Sequence, residues 1–273
     1  MIKNKLRMLA AATVLLAGAT AANAATCSNN PADFPAWLDS FKAEAAANGI
    51  SPRVVNAALS GVTYDPRVIK LDRNQKHFKQ PFSVYSKRVV SPGRVARGKQ
   101  LMKQYANTLQ RIEKKYGVPG PILIAIWGME TDFGAGSGNM STFRSLATLA
   151  FDCRRSAFFT DQLMAALTIV QRGDLAPGDM KGAWAGELGQ TQFLPTSYVR
   201  FAVDFDGNGH ADLRHSPADV LASTANYLKG YGWQRGGSWE EGSANFNVLR
   251  QWNKAEVYAK SAALFADKLV GKQ

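Results

Sequence analysis

Apolar residues recur at helical spacing along most of the chain. Phe34, Leu38, Phe41 and Ala45 lie three or four apart, and Gly49 follows as a stop, so the spacing predicts a helix over 34–48. Ser51-Pro52 opens a second, short helix that ends at Gly61. Ser91-Pro92 opens a long amphipathic one, with Leu101, Tyr105, Leu109, Ile112 and Tyr116 as its apolar stripe and Gly117-Val118-Pro119 as its break. Between these, 62–92 is polar and basic with spaced aromatics and reads as extended or loop structure.

The next run, "PGPILIAIWGME", is apolar on all sides, which predicts a buried central helix. Glu130 lies at its C-terminal end, where the helix dipole disfavours negative charge and desolvation adds to that. Further helices are predicted over about 142–150, 156–172, 189–201, 216–230 and 247–268. No alternating run is long enough for a large sheet, so the fold class is mainly α. Breaks at 117–119 and 232–243 suggest lobes of one domain rather than independent domains.

The first 24 residues carry Lys3, Lys5 and Arg7, then an apolar stretch too short to span a bilayer, then the small-x-small sequence "ANA". They read as a signal peptide cleaved after Ala24, which places the protein in the periplasm or outside the cell. Thr26 before Cys27 argues against a lipoprotein. No later segment is apolar enough to cross a membrane. The formal net charge is +12, which favours anionic partners. Export makes nucleic acid a poor candidate, and an anionic wall polymer or membrane headgroups fit better; a positive surface that only aids solubility is the plainer alternative. Two cysteines, Cys27 and Cys153, allow one disulfide in an oxidising compartment or else remain as thiols.

A glutamate at a helix end is ordinarily solvated or salt-bridged. Glu130 differs in following a fully apolar helix and preceding a loop with Gly134, Gly136 and Gly138. Such glycines permit close approach of another chain or a ligand. A desolvated carboxyl of raised pKa is what a general acid needs near neutral pH. Glycosidic chemistry ordinarily uses two carboxylates. The nearest other acid, Asp132, faces away at two residues' separation on a helical turn.

The motifs "VPGPILIAIWGMETDFG", "LATLAFDCRRSAFF", "GAWAGELGQTQFLPTSY", "FAVDFDGNGHADL" and "SPADVLASTANYLKGYGW" occur in this order. Together they closely resemble the membrane-bound lytic murein transglycosylase B family, over about residues 33–268. The resemblance implies a lysozyme-like catalytic core over 118–232, an additional helical lobe over 25–117 and a C-terminal helix over 233–273 that closes the cleft. It implies cleavage of the β-1,4 bond between N-acetylmuramic acid and N-acetylglucosamine in peptidoglycan, leaving 1,6-anhydromuramyl ends, without a required cofactor. Glu130 matches the catalytic acid, first protonating the leaving oxygen and then taking the proton of the muramic C6 hydroxyl. The substrate's own acetamido group then stands where a second carboxylate would be sought. Gln192, Tyr85, Tyr227, Asn253 and Tyr258 match positions around the cleft, with core packing an even alternative for Tyr258. Arg154 and Arg155 match a paired-arginine feature suited to the carboxylates of the peptide stem, surface salt bridging being the alternative for one of them. Ala183 stands where some members carry serine. Trp252 stands where tyrosine is often found, keeping a stacking face and losing a hydroxyl. A hydrolytic muramidase and a non-catalytic wall-binding scaffold are the rival readings, and the wall-synthesis machinery is a candidate protein partner.

"DFDGNGHADLRH" resembles a calcium loop, with Asp204, Asp206, Asn208, the His210 carbonyl and Asp212 as ligands. Position 12 is His215 rather than the bidentate acid, so a metal-free Asx-rich turn is an equal alternative to a structural Ca2+ site.

Overall fold

Serine and proline set many of the helix starts. Ser51, Ser91, Ser141, Ser216 and Ser243 each accept a hydrogen bond from the backbone N–H three residues on. The computed structural model describes residues 25–74 and 80–272, and the predicted signal peptide lies outside them. The first seven helices are α1 (Phe34–Ala47), α2 (Pro52–Leu59), α3 (Pro66–Arg73), α4 (Phe82–Val89), α5 (Pro92–Gln104), α6 (Ala106–Tyr116) and α7 (Gly120–Thr131). After the two-residue strand β1 (Met140–Ser141) come α8 (Thr142–Phe151) and α9 (Ser156–Arg172). The strand β2 (Lys181–Gly182) pairs antiparallel with β1. The chain closes with α10 (Pro195–Phe201), α11 (Pro217–Gly230), α12 (Ala244–Trp252) and α13 (Glu256–Val270). Among the described residues no helix is long and apolar enough to cross a membrane.

The hydrophobic run becomes the hub of the core. Ile122, Leu123, Ile124, Ala125 and Ile126 of α7 are completely buried, and α7 packs against α5, α6, α11 and α13. Gly128 admits the rings of Phe133 and Phe265: a Cβ there would come within 2.9 Å of both. That close approach lets α13 lie against the last turn of α7, the turn that carries Glu130.

The mainly α fold agrees with the hydrophobic pattern, and four local expectations are corrected. The described part of 62–92 is not all loop: it contains α3 and α4, two helices of eight residues, too short for their apolar spacing to stand out. The helix predicted from Pro92 to Tyr116 is broken at Tyr105 (φ −102°, ψ 19°), so α5 and α6 run separately. The helix expected from 189 begins only at Pro195, because 188 and 193 pair across a tight turn. The one expected over 247–268 is two, interrupted at Asn253, whose extended backbone ends α12. That interruption brings Trp252 and Asn253 to the cleft.

Cys27 and Cys153 are joined in a disulfide across a sequence separation of 126. It ties the segment before α1 to the turn after α8, where Ser28 N–H also donates to the Phe151 carbonyl at 3.0 Å. Phe34 and Trp37 of α1 pack edge-on against Phe151 beside it.

Candidate active site

Glu130 is half-buried on the wall of a cleft of about 360 Å³. The lining also includes Glu187, Gln192, Phe193, Tyr227, Trp252 and Asn253. Two donors from the end of the chain fall on the same Glu130 oxygen. Tyr258 Oη of α13 donates to Oε1 at 2.6 Å, and Trp252 Nε1 of α12 donates to it at 2.9 Å. Burial is the largest influence on the Glu130 carboxyl and raises its pKa; the Tyr258 and Trp252 hydrogen bonds oppose this, and the negative charge of Glu187 adds to it.

The backbone around the acid is strained. Asp132 (φ 52°) and Phe133 (φ 60°) take left-handed conformations directly after α7, and Gln192 (φ 55°), in the cleft lining, does so too. Among the described residues these three are the non-glycine positions of positive φ; Gln192 lines the cleft, and Asp132 and Phe133 follow Glu130 within three residues. Asp132 is paired with Arg94 Nε at 3.0 Å and is not among the residues lining the cleft. It caps α7 in a left-handed conformation rather than continuing the helical turn.

The sequence-predicted residues fall into two groups. Tyr258, Trp252, Tyr85, Gln192, Tyr227 and Asn253 gather around Glu130. Tyr258 is buried, yet its hydroxyl is committed to the acid rather than to ordinary core packing. Tyr85 of α4 is buried close enough that burial and the Glu130 charge both raise its pKa. Trp252 loses the tyrosine hydroxyl but its indole N–H supplies a donor to Glu130, while its ring packs against Phe193 and Tyr227. Gln192 Nε2 donates to the Gly189 carbonyl at 2.9 Å and so presents its amide at the cleft. Tyr227 Oη donates to the Gln251 carbonyl, and Asn253 Oδ1 accepts from Ala255 N–H.

Arg154 and Arg155 are absent from the cleft lining. Both converge with Arg73 on the buried Asp72 carboxylate, Arg154 Nη1 at 2.6 Å, and Arg73 also reaches Asp152. Burial alone would raise the Asp72 pKa, but the guanidiniums of Arg155 and Arg154 outweigh it and hold the carboxyl below its ordinary range. This cluster joins α3 to the α8–α9 turn. The loop glycines 134 and 138 are approached by the chain itself, by the Gln190 side chain and the Gly182 carbonyl.

The acidic loop also departs from expectation. Carboxylates of Asp204, Asp206 and Asp219 lie within 4.8 Å of one another. Asp219, in the first turn of α11, is the third acid of this group, and its carboxylate accepts from the N–H groups of Phe205, Asp206 and Asp212. It falls outside the twelve-residue window, so the window alone could not find it. Asp212 is instead engaged with Arg214 and His215 N–H and with His215 Nδ1. Asn208 caps His210 N–H. Asp204 accepts from the N–H groups of Gly207, Asn208 and Gly209.

Two hydrogen bonds on one carboxyl oxygen make a direct test. Tyr258→Phe removes a bond that favours the charged form, so the Glu130 pKa rises further. An activity that needs the protonated acid then survives to higher pH. The expected result is an alkaline limb displaced upward in the pH–rate profile, with a lowered rate from looser positioning.

The chain is similar to known proteins in sequence and in fold. The family described as "Transglycosylase SLT domain" matches residues 33–243. The "Membrane-bound lytic murein transglycosylase B" of Escherichia coli (strain K12) is 39% identical over 153 residues, 56% of this chain and 42% of that protein. The match thus spans less than half the length of that relative. The crystal structure of SltB3 from Pseudomonas aeruginosa in complex with NAG-anhNAM-pentapeptide is similar with a TM-score of 0.84 at 34% identity, covering 88% of this chain and 80% of that one. The Escherichia coli lytic transglycosylase SLT35 in complex with calcium has a TM-score of 0.77 at 26% identity, covering 89% of this chain and 93% of that one.

Proposed function

The chain belongs to the transglycosylase SLT domain family, and from that premise we propose that it is a lytic transglycosylase of peptidoglycan. The observation that carries the reading is Glu130: one desolvated carboxyl in the cleft, held by two donors on a single oxygen. Protonated, it delivers its proton to the glycosidic oxygen as the bond from the anomeric carbon of N-acetylmuramic acid to that oxygen breaks. As carboxylate, it takes the proton of the muramic C6 hydroxyl as that oxygen bonds to the anomeric carbon. The product is a 1,6-anhydro end, and no water is consumed. Capture by a group on the same sugar gains from proximity. The acetamido oxygen of that sugar supports the positive centre between the two steps.

Gln192, Tyr85, Tyr227, Asn253 and Trp252 supply amide, hydroxyl and ring surfaces suited to sugars. The part-exposed guanidiniums of Arg154 and Arg155 retain N–H groups for stem carboxylates while Asp72 anchors them. The disulfide supports an exported location. Mass spectrometry of digested cell wall tests the activity: anhydromuramyl ends are expected, and reducing ends alone would sink it in favour of hydrolysis.

The convergence of Asp204, Asp206 and Asp219 fits a calcium ion, a hard cation that takes carboxylate oxygens. Chemistry at Glu130 does not use it; its role is to brace the loop before α11. Calcium is expected to raise the Tm of the wild type and not that of Asp219→Ala, read by thermal unfolding with and without the ion.

A further inference from the structure

Glu187 lies in "GAWAGELGQ" between β2 and α10, and it lines the same cleft as Glu130. Its Oε2 is buried and has no hydrogen-bond partner among the described residues. A buried, unpartnered acceptor costs stability, so packing alone gives no reason for an acid there. Nor is it a loose surface side chain. Ala183 N–H donates to the Glu187 carbonyl at 3.1 Å, and Leu188 and Phe193 exchange backbone hydrogen bonds at 2.7 and 2.8 Å, so the loop holds the residue in place.

We propose that Glu187 is the second acid of this cleft, a positioning residue whose negative charge keeps the proton on Glu130 until the glycosidic oxygen takes it. Two carboxyls sharing one low-dielectric cleft titrate as a pair, because the first to ionise opposes the second. The charge settles on Glu187 for a structural reason. Burial raises the pKa of both acids, but at Glu187 the N–H groups of Glu187 and Ala185 and the guanidinium of Arg155 limit that rise, so of the pair Glu187 is the first to ionise. The groups that act on Glu130 are the donors Tyr258 and Trp252 and the charge of Glu187 itself. Tyr85 of α4 completes the ring, and its cation, Arg88, sits over the Tyr85 ring. Weak solvation of Oε2 makes the Glu187 charge costly to form, and once formed it is poorly screened and acts strongly on the neighbouring acid. The same charge serves the return step. Once Glu130 has given up its proton, repulsion from Glu187 makes it a stronger base toward the C6 hydroxyl.

The inference rests on the reading of Glu130 as the acid of a glycan-cleaving cleft, so two readouts are needed. The first uses the full chain without substrate: carboxyl 13C NMR titration of Glu130 in the wild type and in Glu187→Gln. The Glu130 pKa is expected to fall in the variant, because the neighbouring charge has gone. The second is turnover of isolated sacculi against pH. Its alkaline limb is expected at lower pH in Glu187→Gln, with several-fold less activity on the alkaline side and little change on the acid side. Glu187→Asp, which keeps the charge, is expected to stay close to the wild type in both readouts. A uniform loss at every pH, or an unmoved Glu130 titration, overturns the proposal and leaves Glu187 a structural residue. If Glu187→Gln does not fold, Glu187→Ala and Glu187→Asp carry the same comparison. A wild type that releases nothing from sacculi refutes the activity, whereas the NMR titration still decides the coupling.

Discussion

Glu130→Gln is expected to lower turnover of peptidoglycan by roughly 10²–10⁴-fold, the contribution of a positioned general acid–base group, while leaving the fold intact. The glutamine side chain fills the same volume, and its carbonyl oxygen can accept from Tyr258 and Trp252 as Oε1 does. What it cannot do is surrender a proton. Stability provides the second arm. The folded-state pKa of Glu130 is raised by burial and by Glu187, so the folded protein binds the proton more tightly than the unfolded chain. The associated stabilisation is fully present below the unfolded glutamate value and is lost as pH rises through the folded value. Glu130→Gln removes that dependence. Thermal unfolding should show wild type and variant alike at acid pH and the variant more stable on the alkaline side. A variant that keeps its activity refutes the assignment of the acid; a stability difference that does not vary with pH refutes the desolvated carboxyl.

Breaking the Cys27–Cys153 bond is expected to have the largest effect on stability. A closed loop of more than a hundred residues removes unfolded-state entropy equivalent to about 4–5 kcal/mol. For a chain of this size that corresponds to a fall in Tm of roughly 10 °C or more. The native contacts near the bond limit the damage. Ser28 N–H still reaches the Phe151 carbonyl, and Phe34 and Trp37 still pack on Phe151. The reduced protein, or a Cys27→Ser/Cys153→Ser variant, should therefore stay folded at 25 °C and keep its activity, because neither cysteine lines the cleft. Differential scanning calorimetry with and without reductant measures the shift. An unchanged Tm would mean that the segment before α1 is held by packing alone.

The readability of the chain followed the range of the interactions. α7 was legible because burial on all sides leaves a continuous apolar run, and Glu130 was legible because it interrupts that run. The serine and proline helix starts were legible because capping acts over three residues. α3 and α4 were not, since an amphipathic face only two turns long is too short to separate from loop. The break at Tyr105 left the apolar stripe unaltered and so gave no signal.

By itself, then, the sequence determined a mainly helical chain with one acid on a buried helix and a cysteine pair, because helical periodicity, capping and composition are local properties. Only the tertiary structure decided what surrounds that acid. Trp252 and Tyr258 stand 122 and 128 residues from Glu130 along the chain, and the break between α12 and α13 swings both onto one of its oxygens. Glu187 shares a cleft with Glu130 because the paired loop at Leu188 and Phe193 holds it there, and Asp219 lies beside Asp204 and Asp206 because α11 begins where their loop ends. Hydrogen bonds and charge coupling act through space at a few ångströms, and a linear pattern does not record which distant residues the fold brings that close.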